Sequence, residues 1–268
     1  MNPMRMVVIG AGGIGSSLVN YLAMMLEYGA PMSALLIVDG DIFEEKNKSR
    51  QLFKTMGNKA EALAADLSDQ FHQTAIIGIP KWIVESIPED EDGSDRLVAS
   101  GFLQENDIIF PVVDNFMARK VVFDAAAKLD NVDVISAGND DALFCSLYHY
   151  RRRDGKDVTV HPKLIHNEYD NPPDRNPGEM SCQERAAIEG GTQFVAANVA
   201  ATALILGKVQ SCVFGEYERI VPEDDEVNSD EIYLELGDGM AQPFDRSAEQ
   251  NQVPTTDTEE NLTTIGVS

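Results

Sequence analysis

Three glycines near the start of the chain have the spacing of a phosphate-binding loop. Gly10, Gly12 and Gly15 follow the apolar run RMVVIG in the order G-x-G-x-x-G. Such glycines allow a tight turn, the approach of a phosphate to the backbone, and close packing of a following helix on a strand. Free N–H groups at the start of that helix would bind an anion. The loop predicts a nucleotide site, although the same glycines could form only a tight turn.

A carboxylate suited to a ribose follows the second apolar run, SALLIVDGD. Asp39 lies 24 residues after Gly15, and Asp41 repeats the acid two residues later. An acidic side chain in that place accepts hydrogen bonds from ribose hydroxyls. The glycine loop and Asp39 together would also suit a nicotinamide-dependent oxidoreductase, which is one alternative function.

The residues after Asp41 favour a nucleotide that is consumed. Asn47, Arg50 and Gln51 form an N-x-x-R-Q pattern, and Lys59 follows in MGNKAEALA. Hydride transfer needs no pair of cations beyond the ribose acid, whereas cleavage of a triphosphate requires stabilisation of the charge on its phosphates. Arginine offers a planar fork of donors to phosphate oxygens, and lysine a point charge.

A third pair of polar residues ends the apolar run NDIIFPVVDN. The carboxylate of Asp114 is a hard oxygen ligand suited to magnesium, whereas Asp114 or Asn115 could instead cap the helix that follows. Gly10, Asp39 and Asp114 all lie at the ends of predicted strands. In an open α/β sheet the carboxyl ends of the strands border the ligand crevice, so we expect these three residues to meet there.

Strands and helices alternate along the chain and must position these residues. Strands are predicted at 5–10, 33–41, 74–83, 106–115, 132–139, 142–152 and, as one more edge strand, 231–236, and helices at 12–28, 57–71, 116–129 and within 181–209. This alternation predicts an α/β fold with a doubly wound, Rossmann-like, mostly parallel sheet.

The stretches GAGGIGS, DGDIFEEKNKSRQ, GNKAEA and VVDNFMAR together resemble the ThiF/MoeB/HesA family, bacterial relatives of ubiquitin-activating enzymes. The resemblance spans about residues 7–119 and resumes at 182–209. It implies a ThiF-like fold with added antiparallel strands and an adenylyltransferase that uses ATP and magnesium. Its substrate would be the C-terminal carboxylate of a small ubiquitin-fold or sulfur-carrier protein, and the enzyme would be a homodimer.

The resemblance also implies a role for individual residues. The nucleotide would be held by Gly10, Gly12, Gly15, Asp39, Asp41, Asn47, Arg50, Gln51, Lys59 and Asn115. Catalysis would depend on Arg50, Lys59, Asp114 and Cys182, with Asp114 also holding magnesium. Cys182 opens a predicted helix, where a thiol is more nucleophilic and could capture the acyl group, although an incidental cysteine is the alternative. Arg119 also matches a family position.

The chain departs from the family pattern in two ways. Only MNPMR precedes Met6, so the arginine that relatives supply to the partner subunit's ATP would have to be replaced by Arg5 or by another base such as Arg151–Arg153. Without that arginine, the chain would be a non-catalytic ATP-binding subunit, the main alternative function. The paired cysteines of zinc-binding relatives are missing from this sequence, so we expect no zinc. This short form resembles the ThiF-like proteins encoded beside plasmid or integrative-element genes (PRTRC type).

Charge and composition bound the partners and the domains. The net charge is -24, and residues 222–268 carry thirteen acidic residues against one basic residue. Contacts with phosphate backbones need clustered lysine and arginine, so neither nucleic acid nor an anionic membrane is an expected partner. Residues 1–221 would form the adenylation domain, with a long connecting loop at about 153–181, and 222–268 a mostly disordered acidic tail.

The remaining expectations concern location and the histidines. No apolar stretch reaches the roughly 18 to 20 residues of a membrane span, and no leader pattern precedes the first strand, so a cytoplasmic protein is expected. His149, His161 and His166 lie in or beside the long loop without the spacing of metal ligands. No site is predicted at these histidines.

Overall fold

The structure is a computed structural model that describes residues 3–49, 51, 53–139, 143–180, 194–215, 228–237 and 239–244. The strands are β1 (Arg5–Ile9), β2 (Ala34–Val38), β3 (Ala75–Ile79), β4 (Trp82–Val84), β5 (Arg96–Val98), β6 (Ile108–Pro111), β7 (Val132–Asn139), β8 (Phe144–Arg153), β9 (Lys156–Asp157), β10 (Glu231–Glu235) and β11 (Met240–Phe244). The helices are α1 (Gly13–Gly29), α2 (Lys59–Ser68), α3 (Ala99–Phe102), α4 (Phe116–Ala126), α5 (Asn167–Asp170) and α6 (Val195–Cys212). Short 3-10 turns occupy Glu45–Ser49, Pro162–Leu164 and Pro177–Glu179.

One large sheet organises the molecule. Its strand order is β11-β10-β8-β7-β6-β1-β2-β3, with β9 paired to β8, and β4 and β5 form a separate parallel pair. Five adjacent strands of this sheet, β7-β6-β1-β2-β3, are parallel, whereas β8, β10 and β11 pair antiparallel with their neighbours. The predicted α/β fold with a mostly parallel sheet and added antiparallel strands is confirmed. The chain order reverses beside β1, which is where such sheets bind ligands.

The two faces of the sheet carry separate cores. Along β1, Met6 and Val8 pack with α1, α2 and α6, whereas Val7 and Ile9 pack with α4 and the chain around residues 160–169. This alternation follows from the two-residue period of a strand. The central strands are therefore buried on both faces, which accounts for their nearly continuous apolar runs.

Helix α6 differs from one sequence-based expectation. Its 18 residues have a mean hydropathy of 1.3, so by length and composition the helix is long and apolar enough to cross a membrane. One third of it is buried in this structure, where it packs on α1, β7 and β8. The same length and composition occur in core helices of soluble proteins, so this feature is weak grounds for a membrane segment.

The described parts of the connecting segment and of residues 222–268 contain regular structure, whereas a mostly disordered 222–268 stays a prediction because most of it lies outside the described residues. The chain between β8 and residue 180 contains β9, α5 and two 3-10 turns. Strands β10 and β11 fall within 222–268, where a mostly disordered tail was predicted, and β10 pairs with β8 along its five residues. The predicted strand at 231–236 is present, but β11 lies outside it at the edge. His149 lies within β8, as the predicted strand at 142–152 implies, and not in the loop with which it was grouped.

Candidate active site

A cavity of about 830 Å³ lies at the carboxyl ends of β1, β2, β6 and β7. Strand β8 runs the opposite way, so its first residues, Phe144–Ser146, reach the same cavity. This cavity, the crevice, is within the size range of small-molecule sites. From β2 to β8 the sheet has four inter-strand steps, which corresponds to roughly 19 Å. The crevice is therefore wide enough to hold two ligands side by side.

Most of the predicted site residues lie together in this crevice. Its lining includes Gly10, Gly12, Asp39, Asp41, Asn47, Gln51, Lys59, Asp114 and Asn115. The predicted convergence of Gly10, Asp39 and Asp114 is thus present. Gly15 packs behind the loop instead, and Arg50 and Cys182 lie outside the described residues.

The glycine loop leaves space where a ligand would approach. Gly10 has a φ of 98°, which disfavours other residues, and a Cβ atom at Gly15 would lie 1.9 Å from the Gly10 carbonyl oxygen. Both glycines are therefore required by the packing of the chain itself. A Cβ atom at Gly12 would meet only the Nε2 atom of Gln51, at 4.0 Å. The space above Gly12 opens into the crevice.

The start of helix α1 provides donors for an anion. Gly12 occupies the N-cap position, and no side chain of the described residues caps this helix end. The first N–H groups of a helix have no partner within the helix and carry its positive dipole end. A phosphate group beside Gly12 would be stabilised by both.

Asp39 is fixed by the backbone of the glycine loop. Its carboxylate accepts hydrogen bonds from the N–H groups of Ala11, at 2.6 Å, and Asp41, at 2.8 Å. Burial raises the pKa of Asp39, and the charge of Lys59 and these two amides partly offset that effect. Each carboxylate oxygen retains a lone pair for a further donor, so this side chain can accept a ribose hydroxyl.

Lys59 places a buried cation beside these acids. The Lys59 Nζ atom lies 2.5 Å from Asp41 Oδ2, and the residue is 8% exposed. Asn58, which the sequence analysis missed, caps α2 and also donates to the carbonyl oxygens of Asp39 and Asp41. This contact holds the start of α2 against the end of β2, and with it the ammonium group at the crevice.

The buried side chains of Asn47 and Gln51 line the crevice near the glycine loop. The side-chain oxygen of Asn47 accepts from the Glu44 N–H at 2.8 Å, and the Gln51 N–H donates to the Asn47 carbonyl at 3.0 Å. The Oε1 atom of Gln51 is buried and has no hydrogen-bond partner among the described residues. An unsatisfied buried acceptor costs about 1–3 kcal/mol, so a ligand donor that bound there would be stabilised.

Asp114 and Asn115 differ in their partners. Asn115 caps α4 by accepting from the Ala118 N–H at 2.8 Å, and its amide donates to the Arg175 carbonyl at 2.8 Å. Asp114 is exposed at the crevice, and its carboxylate forms no hydrogen bond or ion pair within the described part of the chain. The capping alternative therefore applies to Asn115, whereas the oxygens of Asp114 fit a hard cation such as magnesium.

The connecting segment is bonded to the rim of the crevice. The Asp174 carboxylate accepts from the N–H groups of Phe116 and Met117, both at 2.8 Å. Two residues later, the Asn176 amide donates to the Ile83 carbonyl at 2.8 Å. Because an acidic side chain already occupies the start of α4, an anionic ligand would bind at the uncapped start of α1 instead.

Trp82 links this segment to the ribose acid. Its indole ring lies against Gly40, where a Cβ atom would be 2.4 Å from the ring. A Cβ atom at Gly178 would lie 2.7 Å from the Cβ atom of Trp82. The ring therefore lies between the end of β2 and the turn at 177–179, and it also lines the crevice.

Arg119 is a further cation of the crevice wall. Its guanidinium group donates to the carbonyl oxygens of Val113, at 2.7 Å, and Ala137, at 3.1 Å. It also lies 5.8 Å from the centre of the Phe116 ring. These contacts fix the group between the ends of β6 and β7.

The other candidate arginines lie away from the crevice of their own chain. Arg5 pairs with Asp107 at the start of β1, the end of that strand opposite Gly10. Arg151 and Arg153 pair with Asp133, near the start of β7. In the ranges that the structure covers, no group of three His, Cys, Asp or Glu side chains could hold a metal ion. The expectation that no zinc binds remains a prediction.

Comparison with solved structures supports this architecture. Escherichia coli MccB with AMPCPP and SeMet MccA superimposes with a TM-score of 0.60 at 18% identity, over 91% of this chain and 64% of that chain. MccB with ATP gives the same values, and MccB by itself a TM-score of 0.62 at 17% identity, over 99% of this chain and 67% of that chain. At this level of identity the likeness shows the fold.

Sequence comparison identifies a curated relative. A "Probable adenylyltransferase/sulfurtransferase MoeZ" from Mycobacterium tuberculosis is 30% identical over 122 residues. The match covers 46% of this chain and 28% of MoeZ, so the chain matches less than a third of that protein's length. The ThiF family model matches residues 1–211, which span the chain from before β1 to the last turn of α6. With the sheet order, the glycine loop and the paired Asp41 and Lys59 at one crevice, this match shows that the chain belongs to the ThiF family.

Proposed function

We propose that this protein is an ATP-dependent adenylyltransferase that activates the C-terminal carboxylate of a small ubiquitin-fold or sulfur-carrier protein. The observation that carries the proposal is the combination of the uncapped start of α1 with the buried Lys59 ammonium in one crevice. Together they provide donors and a positive charge for a triphosphate in a chain whose net charge is -24. Membership of the ThiF family, the adenylyltransferase activity for which MoeZ is named, and the complexes of MccB with ATP, AMPCPP and MccA support it.

The two halves of the nucleotide would bind different residues. Asp39 would accept a ribose hydroxyl, because its carboxylate already faces the glycine loop. The phosphates would lie above Gly12, within reach of the Lys59 ammonium and the Gln51 amide. Lys59 would exchange part of its contact with Asp41 for phosphate oxygens, a charge-assisted hydrogen bond.

The reaction would be a displacement at the α-phosphorus. An oxygen of the carrier's C-terminal carboxylate forms a bond to that phosphorus while the bond to the oxygen of the β-phosphate breaks. Pyrophosphate leaves with the bonding electrons, and the acyl group remains joined to AMP. Lys59 and the backbone amides stabilise the negative charge that develops on the phosphates, which is a large term in such catalysis.

Asp114 would hold magnesium at the phosphates. Its carboxylate is available at the crevice, and carboxylates with phosphate oxygens and water form the usual shell of this ion. Bound magnesium would supply charge neutralisation on the pyrophosphate. Capture of the acyl group by Cys182, the role of Arg50, a homodimer and a cytoplasmic location remain predictions, since they concern residues or assemblies outside the described structure.

A non-catalytic ATP-binding subunit is the second candidate. The ion pairs of Arg5 and of Arg151–Arg153 favour it, because each of these arginines is already bound to a carboxylate of its own chain. Such a subunit would bind ATP without catalysing its reaction with a carboxylate. A nicotinamide-dependent oxidoreductase is not favoured, because hydride transfer does not require a cation such as Lys59 beside the ribose-binding Asp39.

Binding and exchange measurements on the full chain separate these functions. Calorimetry with ATP, with and without magnesium, and with NAD should show that magnesium–ATP binds most tightly. Asp114→Asn should remove the gain from magnesium, whereas Asp90→Asn, an exposed acid outside the crevice, should not. Labelled pyrophosphate should exchange into ATP when a small carrier protein ending in glycine is added.

Each outcome distinguishes one candidate. Tighter binding of NAD than of magnesium–ATP would contradict the proposal. ATP binding without exchange, across a panel of carriers, would favour the non-catalytic subunit. Exchange that survives Asp114→Asn would contradict the assignment of magnesium to that residue.

A further inference from the structure

A second pair of amides lies in the crevice, away from the glycine loop. Asn139 is the last residue of β7, and Asn198 lies in the first turn of α6. The Asn139 Nδ2 atom donates to Asn198 Oδ1 at 3.0 Å, and both residues line the crevice. Asn198 is 2% exposed, yet its Nδ2 atom has no hydrogen-bond partner among the residues that the structure describes. The crevice therefore contains a buried donor that the described chain leaves unsatisfied.

The position of this pair relative to the nucleotide residues follows from the strand order. Gly12 and Asp39 follow β1 and β2, whereas Asn139 ends β7, two inter-strand steps or roughly 10 Å beyond β1. In register, Asn139 lies opposite Cys145 of β8, which also lines the crevice. Asp114 follows β6, between the two regions. A nucleotide held at β1 and β2 with its phosphates toward β6 leaves the β7–β8 side free.

The chemistry of the pair selects one type of ligand atom. Each unpaired N–H group of Asn198 requires an acceptor, and a buried donor without one costs about 1–3 kcal/mol. The guanidinium group of Arg119, fixed to the Ala137 carbonyl of the same strand, adds positive charge to this wall. A carbonyl or carboxylate oxygen would satisfy the donor and benefit from that charge.

We propose that Asn139 and Asn198 form the acyl-binding part of the crevice. The Asn198 Nδ2 atom donates to the carbonyl oxygen of the substrate's C-terminal residue, which holds its carboxyl group beside the α-phosphate. Asn139 orients the Asn198 amide through the Nδ2 to Oδ1 hydrogen bond. This inference rests on the proposed adenylyltransferase function and names the residues that bind its second substrate.

Two adenosine compounds test the proposal without knowledge of the carrier. In 5′-O-(N-glycylsulfamoyl)adenosine an unreactive acylsulfamate anion replaces the acyl phosphate of glycyl-AMP. The parent 5′-O-sulfamoyladenosine lacks the glycyl group and the negative charge that acylation confers on the sulfamate nitrogen, and the comparison between variants cancels this difference. Calorimetry with the full chain should show tighter binding of the glycyl compound. Asn198→Ala should weaken that binding roughly tenfold, as expected for one hydrogen bond, and leave the binding of the parent compound unchanged.

Asn198→Asp separates recognition from structure. This variant keeps the Oδ1 acceptor of the Asn139 hydrogen bond but replaces the donor by an anionic oxygen, so it should weaken glycyl binding at least as much as Asn198→Ala. Asn20→Asp makes the same change on α1, where the Asn20 amide donates to the Ser16 carbonyl away from the crevice. It should alter neither affinity. Thermal unfolding of each variant shows that the compared proteins are folded.

The outcomes distinguish this inference from the function on which it rests. If the wild-type chain binds neither adenosine compound nor ATP, the proposed function fails and this inference with it. If it binds both adenosine compounds but the glycyl preference persists in both Asn198 variants, the inference alone is overturned. An equal loss for both compounds in the two variants would overturn it as well, because that loss would reflect a structural role.

Discussion

Some polar groups at the crevice lack hydrogen-bond partners within the described chain, whereas those farther along β7 and β8 have them. At the crevice, Gln51 Oε1 and Asn198 Nδ2 lack partners among the described residues, and Asp114 forms no ion pair there. Farther along β7 and β8, toward the opposite edge, His149 contacts a carboxylate with each ring nitrogen. Unsatisfied groups favour binding of a ligand, whereas satisfied ones stabilise the fold.

The His149 cluster, which consists of Asp133, His149, Arg151, Lys208 and Asp230, shows how complete that satisfaction is. His149 Nε2 lies 2.8 Å from Asp133 and Nδ1 3.2 Å from Asp230. Arg151 and Lys208 each lie 2.8 Å from one of these carboxylates. Burial disfavours the charged imidazole, but the two carboxylates outweigh it and raise the pKa of His149 to about 9. Despite their own burial, the same contacts hold the pKa of both acids well below the usual range.

The largest expected effect comes from removing the charge at the centre of this cluster. His149→Gln removes the positive charge that Asp133 and Asp230 share, although Arg151 and Lys208 remain beside them. The free energy of unfolding at pH 6 should therefore fall by about 3 kcal/mol, at the lower end of the range for a broken buried ion pair. ATP affinity, measured below the unfolding transition, should change little. His72→Gln, at an exposed histidine, is the matched control. A loss below 1 kcal/mol in urea denaturation would contradict the role given to the cluster.

The destabilisation caused by His149→Gln should depend on pH. The folded pKa of His149 is above its unfolded value of roughly 6.5, so its stabilisation is complete below that pH and is lost as pH rises toward 9. The difference in unfolding free energy between wild type and His149→Gln should therefore shrink by a few kcal/mol from pH 6 to pH 9. A constant difference would show that folding does not raise the pKa of His149.

A substitution at the crevice should affect ATP affinity more than stability, the reverse of His149→Gln. Lys59→Met removes the buried ammonium, so the affinity for magnesium–ATP should fall about 10- to 100-fold. Stability should fall less than in His149→Gln. The ion-pair partner Asp41 is half exposed and can be hydrated, so only the buried Asp39 carboxylate loses a nearby positive charge that solvent does not replace. Lys48→Met, at an exposed lysine paired with Glu45, should leave the affinity unchanged. An unaltered affinity in calorimetry would remove Lys59 from the proposed site.

The smallest expected effect concerns a satisfied group at the rim of the crevice. Asp174→Ala removes the carboxylate that caps α4, so unfolding should become easier by about 1 kcal/mol. Asp174→Asn, which keeps an acceptor, should cost less. Glu168→Ala, at an exposed acid of the same segment, should have no effect on urea denaturation. Equal stability of wild type and Asp174→Ala would show that the cap contributes nothing.

Local patterns in the sequence predicted much of the fold and the position of the crevice, but not the His149 cluster. Alternating strands and helices predicted the mostly parallel sheet, and Gly10, Asp39 and Asp114 were correctly predicted to meet at one crevice. Asn58, one residue before the helical KAEALA pattern, had a recognisable capping signal that the analysis missed. The family resemblance, not periodicity, supplied the roles of Arg50 and Cys182, and these remain untested.

Contacts between distant segments could not be predicted in the same way. Asp174 reaches α4 from a polar segment without periodicity, and Asn198 meets Asn139 across 59 residues of chain. The His149 cluster combines side chains from β7, β8, α6 and the residue before β10. Each of these contacts depends on how segments far apart in the sequence pack against each other. Composition and local spacing do not show this.

The position of Trp82 gives the protein a built-in optical probe. It is the single tryptophan of the 268 residues, and its indole lies on Gly40 at the wall of the crevice. Any intrinsic fluorescence excited at the red edge of protein absorption therefore originates from one place, between the residue that would meet the ribose and the turn at 177–179. Changes in emission wavelength or quenching can thus be assigned to this site, without a dye or an engineered label.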